Sequence, residues 1–190
     1  MRNDILEHRI LVENNILKGF KTDLIQAKKE TDTNPSEGTK TAGNYKKGHI
    51  KFGGYEMVIE NPKGSIRSGK DSDGNKWSIK MNNTYGYFLK TLGRDKDHID
   101  VFINDKKDLD KFNGDIYIVD QVDKDGNFDE HKIMYGFDNK ADAKKAYLSN
   151  YSKGWKMGKI NSASKDVFDR WMKSSKRKIK PFSNYIDNMK

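Results

Sequence analysis

Three carboxylates, Asp95, Asp97 and Asp100, fall within six residues and run directly into the apolar segment Val101-Phe102-Ile103. Asp is a poor former of both helix and strand, so this clustering has no obvious folding benefit. Carboxylates so close together repel one another unless a cation sits among them. Hard divalent cations such as Mg²⁺ take oxygen ligands of this kind, with waters and substrate phosphates completing the shell. The competing reading is a solvated acidic turn that leads into a strand. Further along, Asp125-Gly126 is a strong hairpin-turn signal. The run Asp123-x-Asp125-x-Asn127-x-Asp129 hints at a Ca²⁺ loop, but its glycine, Gly126, stands fourth where an EF-hand needs it sixth.

The elements that must position these groups are legible from apolar periodicity. Residues 1–30 form one unit, with an amphipathic helix over 3–30. Ile5, Val12, Ile16, Phe20 and Leu24 lie near helical spacing, with charges between them. That helix could dock on its own domain, pair with another helix or anchor the chain in a larger assembly. Residues 31–47 are rich in Thr, Asn, Gly, Lys, Ser and Pro and have linker composition. From Gly48 the pattern switches to strands. Ile50 and Phe52 alternate, Gly53-Gly54 makes a tight turn, and Tyr55, Met57 and Ile59 alternate again. A second hairpin is predicted around Asp73-Gly74, between Ser65-Ile66-Arg67 and the run from Trp77 to Met81. Ile99, Val101 and Ile103 face one side of the next strand. Ile116 to Val122 and Phe128 to Phe137 form a pair through Asp125-Gly126. Asn139 and Ser164 read as caps of two later helices, and the basic run Lys173 to Lys180 ends at Pro181. Strands first and helices later favour an α+β domain, residues 48–190, on an antiparallel sheet or barrel.

Composition narrows the function classes. Nine Tyr, nine Phe and three Trp argue against a wholly disordered chain. The absence of Cys excludes disulfides, thiolate metal sites and Cys nucleophiles, and fits a reducing compartment or none in particular. No apolar run approaches the ~20 residues of a membrane span, and the N-terminus lacks the apolar core of a secretory signal. No membrane partner is expected, and the location expected is cytoplasmic. A net charge of +9 implies affinity for anions, among them phosphates, nucleic acid and acidic partners.

The stretch Tyr85-Gly86-Tyr87 followed by Asp95-Lys96-Asp97-His98-Ile99-Asp100-Val101 resembles the metal-site segment of soluble family I inorganic pyrophosphatases. In that family Tyr-Gly-Tyr precedes Asp-Gly-Asp-Pro-Leu/Val-Asp-Val at the same distance. Asp125, Glu130 and Lys132 keep the spacing of a second family segment in the same order. The runs Ile59-Glu60-Asn61-Pro62-Lys63-Gly64-Ser65 and Phe128-Asp129-Glu130-His131-Lys132 are similar to the version of the domain found in large proteins of phages and mobile elements. The resemblance covers about residues 49–182 and says nothing about residues 1–44.

The resemblance implies a small antiparallel β-barrel flanked by helices, Mg²⁺ as cofactor, and pyrophosphate or another phosphoanhydride as substrate. It implies metal roles for Asp95, Asp100, Asp125 and Glu130, and water activation by Asp97. Such hydrolysis needs metal to neutralise phosphates and to make hydroxide available near neutral pH. Lys132 and Tyr85 are the foremost substrate-binding candidates, followed by Lys80, Arg67, Tyr151, Lys153 and Glu60. His98 and His131 flank the carboxylates and are expected to be structural. The chain departs from the family pattern at Lys96 and His98, which replace Gly and Pro, at Glu130, which replaces Asp, and at Arg67-x-Gly69, which replaces Lys-x-Glu. These changes open the substrate to a larger phosphoanhydride or a nucleotide. The alternatives are a nucleic-acid-binding module that uses the basic run, and a catalytically inactive component of a phage particle or mobile element. In the second case the N-terminal helix would join other virion or mobile-element proteins.

Overall fold

The computed structural model describes residues 19–70, 74–174 and 178–189; the first part of the expected N-terminal helix, the tip of the second hairpin and part of the basic run lie outside them. The order is α1 (Phe20–Glu30), α2 (Glu37–Ala42), β1 (Gly48–Phe52), β2 (Tyr55–Asn61), β3 (Ile66–Lys70), β4 (Lys76–Lys80), β5 (Thr84–Phe88) and β6 (Asp100–Ile103). It continues with β7 (Ile116–Val122), β8 (Phe128–Tyr135), α3 (Lys140–Leu148), β9 (Lys159–Ala163), α4 (Lys165–Lys173) and α5 (Phe182–Asp187). No helix among the described residues is long and apolar enough to cross a membrane.

Local signals fold as their chemistry dictates. Gly53 and Gly54, both at positive φ, turn β1 into β2, with Phe52 opposite Tyr55. The Asn139 side chain accepts from the Asp142 N–H at 2.9 Å, and Ser164 accepts from Val167. One strand, β5, carries no clean alternation because Gly86 interrupts it. A side chain there would bring its Cβ within 1.9 Å of the Val58 carbonyl oxygen, so only glycine lets β5 lie this close to β2.

Seven strands form one sheet in the order β1-β2-β5-β6-β8-β7-β9, while β3 and β4 form a separate ribbon. The large sheet is mostly antiparallel, but β6 and β8 run parallel, with Asp100 opposite Lys132. The expected antiparallel arrangement is thus met by most of the sheet but not by this ladder. The expected closed barrel is also not seen, since among the described residues no ladder joins edge strands β1 and β9. Helices α1, α4 and α5 cover one face of the sheet. The Phe20 ring of α1 meets Phe52 edge-on at 5.7 Å, and the Phe168 ring of α4 meets Tyr55 at 5.5 Å.

Side chains alternate across the sheet with period two, so each strand feeds two cores. Val101, Ile103, Ile133 and Tyr135 join Phe20, Phe168, Trp171 and Phe182 on the face under α1, α4 and α5. Tyr85, Phe102, Val119 and Met134 join Ala143 and Tyr147 on the opposite face, under α3.

The stretch with linker composition, residues 31–47, is built into the structure. Thr31 is buried, and its hydroxyl donates to the Ala27 carbonyl and accepts from the Gly48 N–H. Ser36 caps α2 by accepting from the Thr39 N–H, and Lys40 donates to the Ser68 carbonyl at 2.6 Å. Polar composition hides these contacts because they are hydrogen bonds, not apolar burial.

Candidate active site

The site forms on the α3 face of the sheet, where three neighbouring strands present polar side chains in register. Tyr87 of β5 stands opposite Asp100 of β6, which stands opposite Lys132 of β8. Glu130 lies two residues before Lys132 and so shares its face. Lys132 is buried, and its ammonium pairs with Asp100 and with Glu130 Oε2 at 2.7 Å. The Tyr85 hydroxyl donates to Asp100 Oδ2 at 2.5 Å and accepts from Arg67 Nη2 at 3.2 Å and Lys132 Nζ at 3.3 Å. Arg67 arrives from the β3–β4 ribbon, with its guanidinium carbon 4.4 Å from the Tyr85 ring centre.

Electrostatics follow from this packing. Burial works against the charge on Lys132, but Asp100, Tyr85, Tyr151 and Glu130 more than offset it and hold its pKa well above the ordinary lysine range. Burial pushes the Glu130 carboxyl up to about 7, with Lys132 opposing the shift and Asp100 adding to it. Tyr85 is raised by burial and then by Asp100, so its hydroxyl stays protonated and available as a donor.

A third group of donors comes from the loop between β5 and β6. The Gly93 N–H donates to the Asp97 carbonyl at 2.7 Å, and the Asp97 N–H donates to Asp95 Oδ1 at 3.1 Å. Between them Lys96 adopts φ 72°, the left-handed conformation that favours glycine. His98 stacks on Tyr87 at 4.7 Å, its Nδ1 lies 2.7 Å from the Thr91 carbonyl, and the Ile99 N–H donates to the Thr91 hydroxyl. The loop therefore holds Asp95 and Asp97, both exposed, at the rim above Asp100.

One cavity of about 430 Å³ brings most of the expected residues together. Asp95, Asp97, Asp100 and Glu130 line it, as do Glu60, Arg67, Tyr85 and Lys132. Asp125 is not among its lining; it lies in the exposed β7–β8 turn, where Asp123 organises the backbone by accepting from the Asp125 and Asn127 N–H groups. Lys80 ends β4 exposed, and Lys153 is exposed after α3. Tyr151 sits behind the cavity, with its hydroxyl donating to Gln121 Oε1 at 3.0 Å.

Four residues of the site escaped the sequence reading or were given no role in it. Gln121 donates to Glu130 Oε1 at 2.7 Å and accepts from the Tyr147 hydroxyl at 2.8 Å, fixing the carboxylate from behind. Its signal was available, because Gln121 shares a strand face with Tyr117 and Val119. Lys47 lies in the polar stretch and pairs with Glu60 at 2.8 Å, which no local pattern announces. Tyr87 and His98 complete the cavity wall.

Among the described residues no three His, Asp or Glu side chains stand close enough to form a metal cluster. Positive charge is supplied instead by Lys132 between Asp100 and Glu130. The donor chemistry of the cavity still suits a hard cation, since its five carboxylates, Glu60, Asp95, Asp97, Asp100 and Glu130, offer oxygen ligands.

Fold and cavity together define an α+β protein with carboxylates and buried cations gathered on one sheet face. The family model for inorganic pyrophosphatase matches residues 37–173, well over half of the chain. The chain belongs to the inorganic pyrophosphatase family. Comparisons with curated proteins and with solved structures give no match.

Proposed function

We propose that the chain hydrolyses inorganic pyrophosphate or a related phosphoanhydride, with Mg²⁺ as cofactor. The observation that carries this reading is the meeting of Asp95, Asp97, Asp100 and Glu130 with Arg67 and Lys132 around one cavity. Asp95, Asp100 and Glu130 would hold the cation. Its chemistry, when bound, is to neutralise phosphate charge and make hydroxide available near neutral pH.

The side chains do the rest. Arg67 offers a planar fork of donors that suits two phosphate oxygens, and Lys132 offers a compact charge beside it. Tyr85 ties the two cations to Asp100 and keeps them aimed at one place. Asp97, exposed at the rim and unencumbered by Lys132, orients the attacking water and takes its proton. The water oxygen bonds to one phosphorus, the bridging P–O bond breaks, and the leaving phosphate carries away the electron pair.

The test is phosphate release from pyrophosphate with Mg²⁺ and with a chelator. Release that requires the metal is the expected result. No release from pyrophosphate or from any other phosphoanhydride, across a range of Mg²⁺ concentrations, would overturn the reading.

A further inference from the structure

A second cavity, of about 360 Å³, adjoins the first, and Lys47, Glu60 and Arg67 line both. It lies between the segment carrying α2 and the β3–β4 ribbon, and its volume is in the ~300–1,000 Å³ range of small-molecule sites. Pyrophosphate has no part that would use it. Its walls include two aromatic rings, Tyr45 and Trp77, both half-buried.

The Trp77 ring is held in place by what lies beneath it. Trp77 stands directly opposite Gly69 across the ribbon, and a Cβ at position 69 would come within 2.7 Å of the indole ring. Glycine there lets the indole lie across the ribbon, where it lines the cavity. Arg67 bridges the two cavities, with its guanidinium carbon 5.5 Å from the Trp77 ring centre and 4.4 Å from that of Tyr85. Lys47 does the same on the other side, its ammonium 4.6 Å from the Tyr45 ring centre and 5.2 Å from that of Tyr87. Each bridging cation thus has an aromatic ring of the second cavity on one side and a ring of the phosphate cavity on the other. That arrangement suits a molecule with a flat π-system at one end and phosphates at the other.

We propose that the second cavity is a nucleoside subsite, so that the anhydride brought to Asp97 and Lys132 is that of a nucleoside 5′-triphosphate. This rests on the hydrolase reading above. The base stacks on Trp77, Arg67 and Lys47 carry the phosphate chain between the cavities, and the terminal phosphate reaches the carboxylates. Water adds its oxygen to the terminal phosphorus, the bridging P–O bond breaks, the nucleoside diphosphate leaves with the electron pair, and the water's proton passes to Asp97.

The full chain is tested by calorimetric binding of the non-hydrolysable β,γ-methylene-ATP with Mg²⁺, alongside phosphate release from ATP and from pyrophosphate. Base stacking on an aromatic side chain gives roughly 1–3 kcal/mol, so Trp77→Ala should weaken binding of the analogue about 5- to 150-fold. The same variant should raise KM for pyrophosphate far less, and Trp77→Phe should recover most of the loss. Tyr45→Ala provides the same readout from the other ring if Trp77→Ala does not fold. Pyrophosphate hydrolysis with no binding of the analogue would overturn the subsite and leave the hydrolase reading standing. Binding that depends on Trp77 without hydrolysis of either compound would uphold the subsite and overturn the hydrolase reading. Equal loss for analogue and pyrophosphate in Trp77→Ala would overturn the subsite, because a nucleoside contact cannot weaken pyrophosphate.

Discussion

Asp100 and Lys132 are register partners across the parallel β6–β8 ladder of the sheet, and the Lys132 ammonium joins the Asp100 carboxylate to Glu130. Two carboxylates that would repel each other are thereby held together by a cation that is itself part of the chain. Asp97 lies outside this pairing, exposed in the loop between β5 and β6.

That separation predicts different behaviour for two similar substitutions. Asp97→Asn should lower phosphate release by ~10²–10⁴-fold, the usual contribution of a general base, and added Mg²⁺ should not restore it. Asp100→Asn should weaken Mg²⁺ binding first, with some activity regained at high Mg²⁺. Mg²⁺ titrations of binding and of release on both variants make the comparison. Full activity in Asp97→Asn would remove its assignment while leaving the hydrolase alive.

Removing the internal cation should expose its structural role. Lys132→Met leaves Asp100 and Glu130 facing each other without compensation, and breaking a buried ion pair from one side costs about 3–5 kcal/mol. Thermal unfolding should show a lower midpoint, and Mg²⁺ should recover more of it than it adds to the wild type, because a cation that binds only the folded state stabilises it by mass action. An unchanged midpoint without metal would mean that the pair contributes nothing net.

Helix α1 should behave as part of the core and not as an appendage. Phe20, Leu24 and Ala27 are buried, and the Phe20 ring packs edge-on against Phe52. Phe20→Ala should cost about 3–5 kcal/mol in chemical denaturation, the usual range for truncating a buried aromatic side chain. A loss below 1 kcal/mol would show that α1 detaches freely and that residues 48–190 stand alone.

A carboxylate on the opposite face of the sheet should matter for stability alone. Asp120 is buried within β7, accepts from the Phe182 N–H at 2.6 Å and the Ser183 N–H at 3.0 Å, and so fastens α5 to the sheet. Asp120→Ala strands these donors and should cost about 2–3 kcal/mol in denaturant unfolding, with pyrophosphate kinetics close to wild type below the transition. A drop in turnover larger than the drop in folded fraction would place Asp120 in the chemistry after all.

Lys96 tests the loop that carries the rim carboxylates. Its φ of 72° is unfavourable for a side chain with a Cβ, by about 1–2 kcal/mol, and glycine at this position pays a smaller cost in unfolded-chain entropy. Lys96→Gly should therefore raise the unfolding midpoint slightly. A lower midpoint would mean that the lysine side chain makes contacts worth more than the strain.

The sequence alone determined what depends on neighbouring residues. Gly53-Gly54 and Asp125-Gly126 marked two hairpins, alternation marked β1, β2 and β6, a β-rich run marked β7 and the turn after it marked β8, and Asn139 and Ser164 marked helix starts. These are local because turn dihedrals, strand alternation and capping bonds involve residues a few positions apart. The family resemblance carried by Asp95, Asp97, Asp100, Glu130 and Lys132 also pointed to one site, and they line one cavity. Tertiary structure decided the rest. Whether β8 or β7 lies beside β6 is a choice between long-range pairings, and the parallel choice is what brings Lys132 to Asp100. The same choice leaves Asp125 at an exposed turn, although its spacing matched the others. Lys47 and α2 were invisible because their partners, Glu60 and Ser68, are distant in sequence and polar. Hydrogen bonds and ion pairs formed across the fold leave no periodicity in the chain, so only the folded structure reveals them.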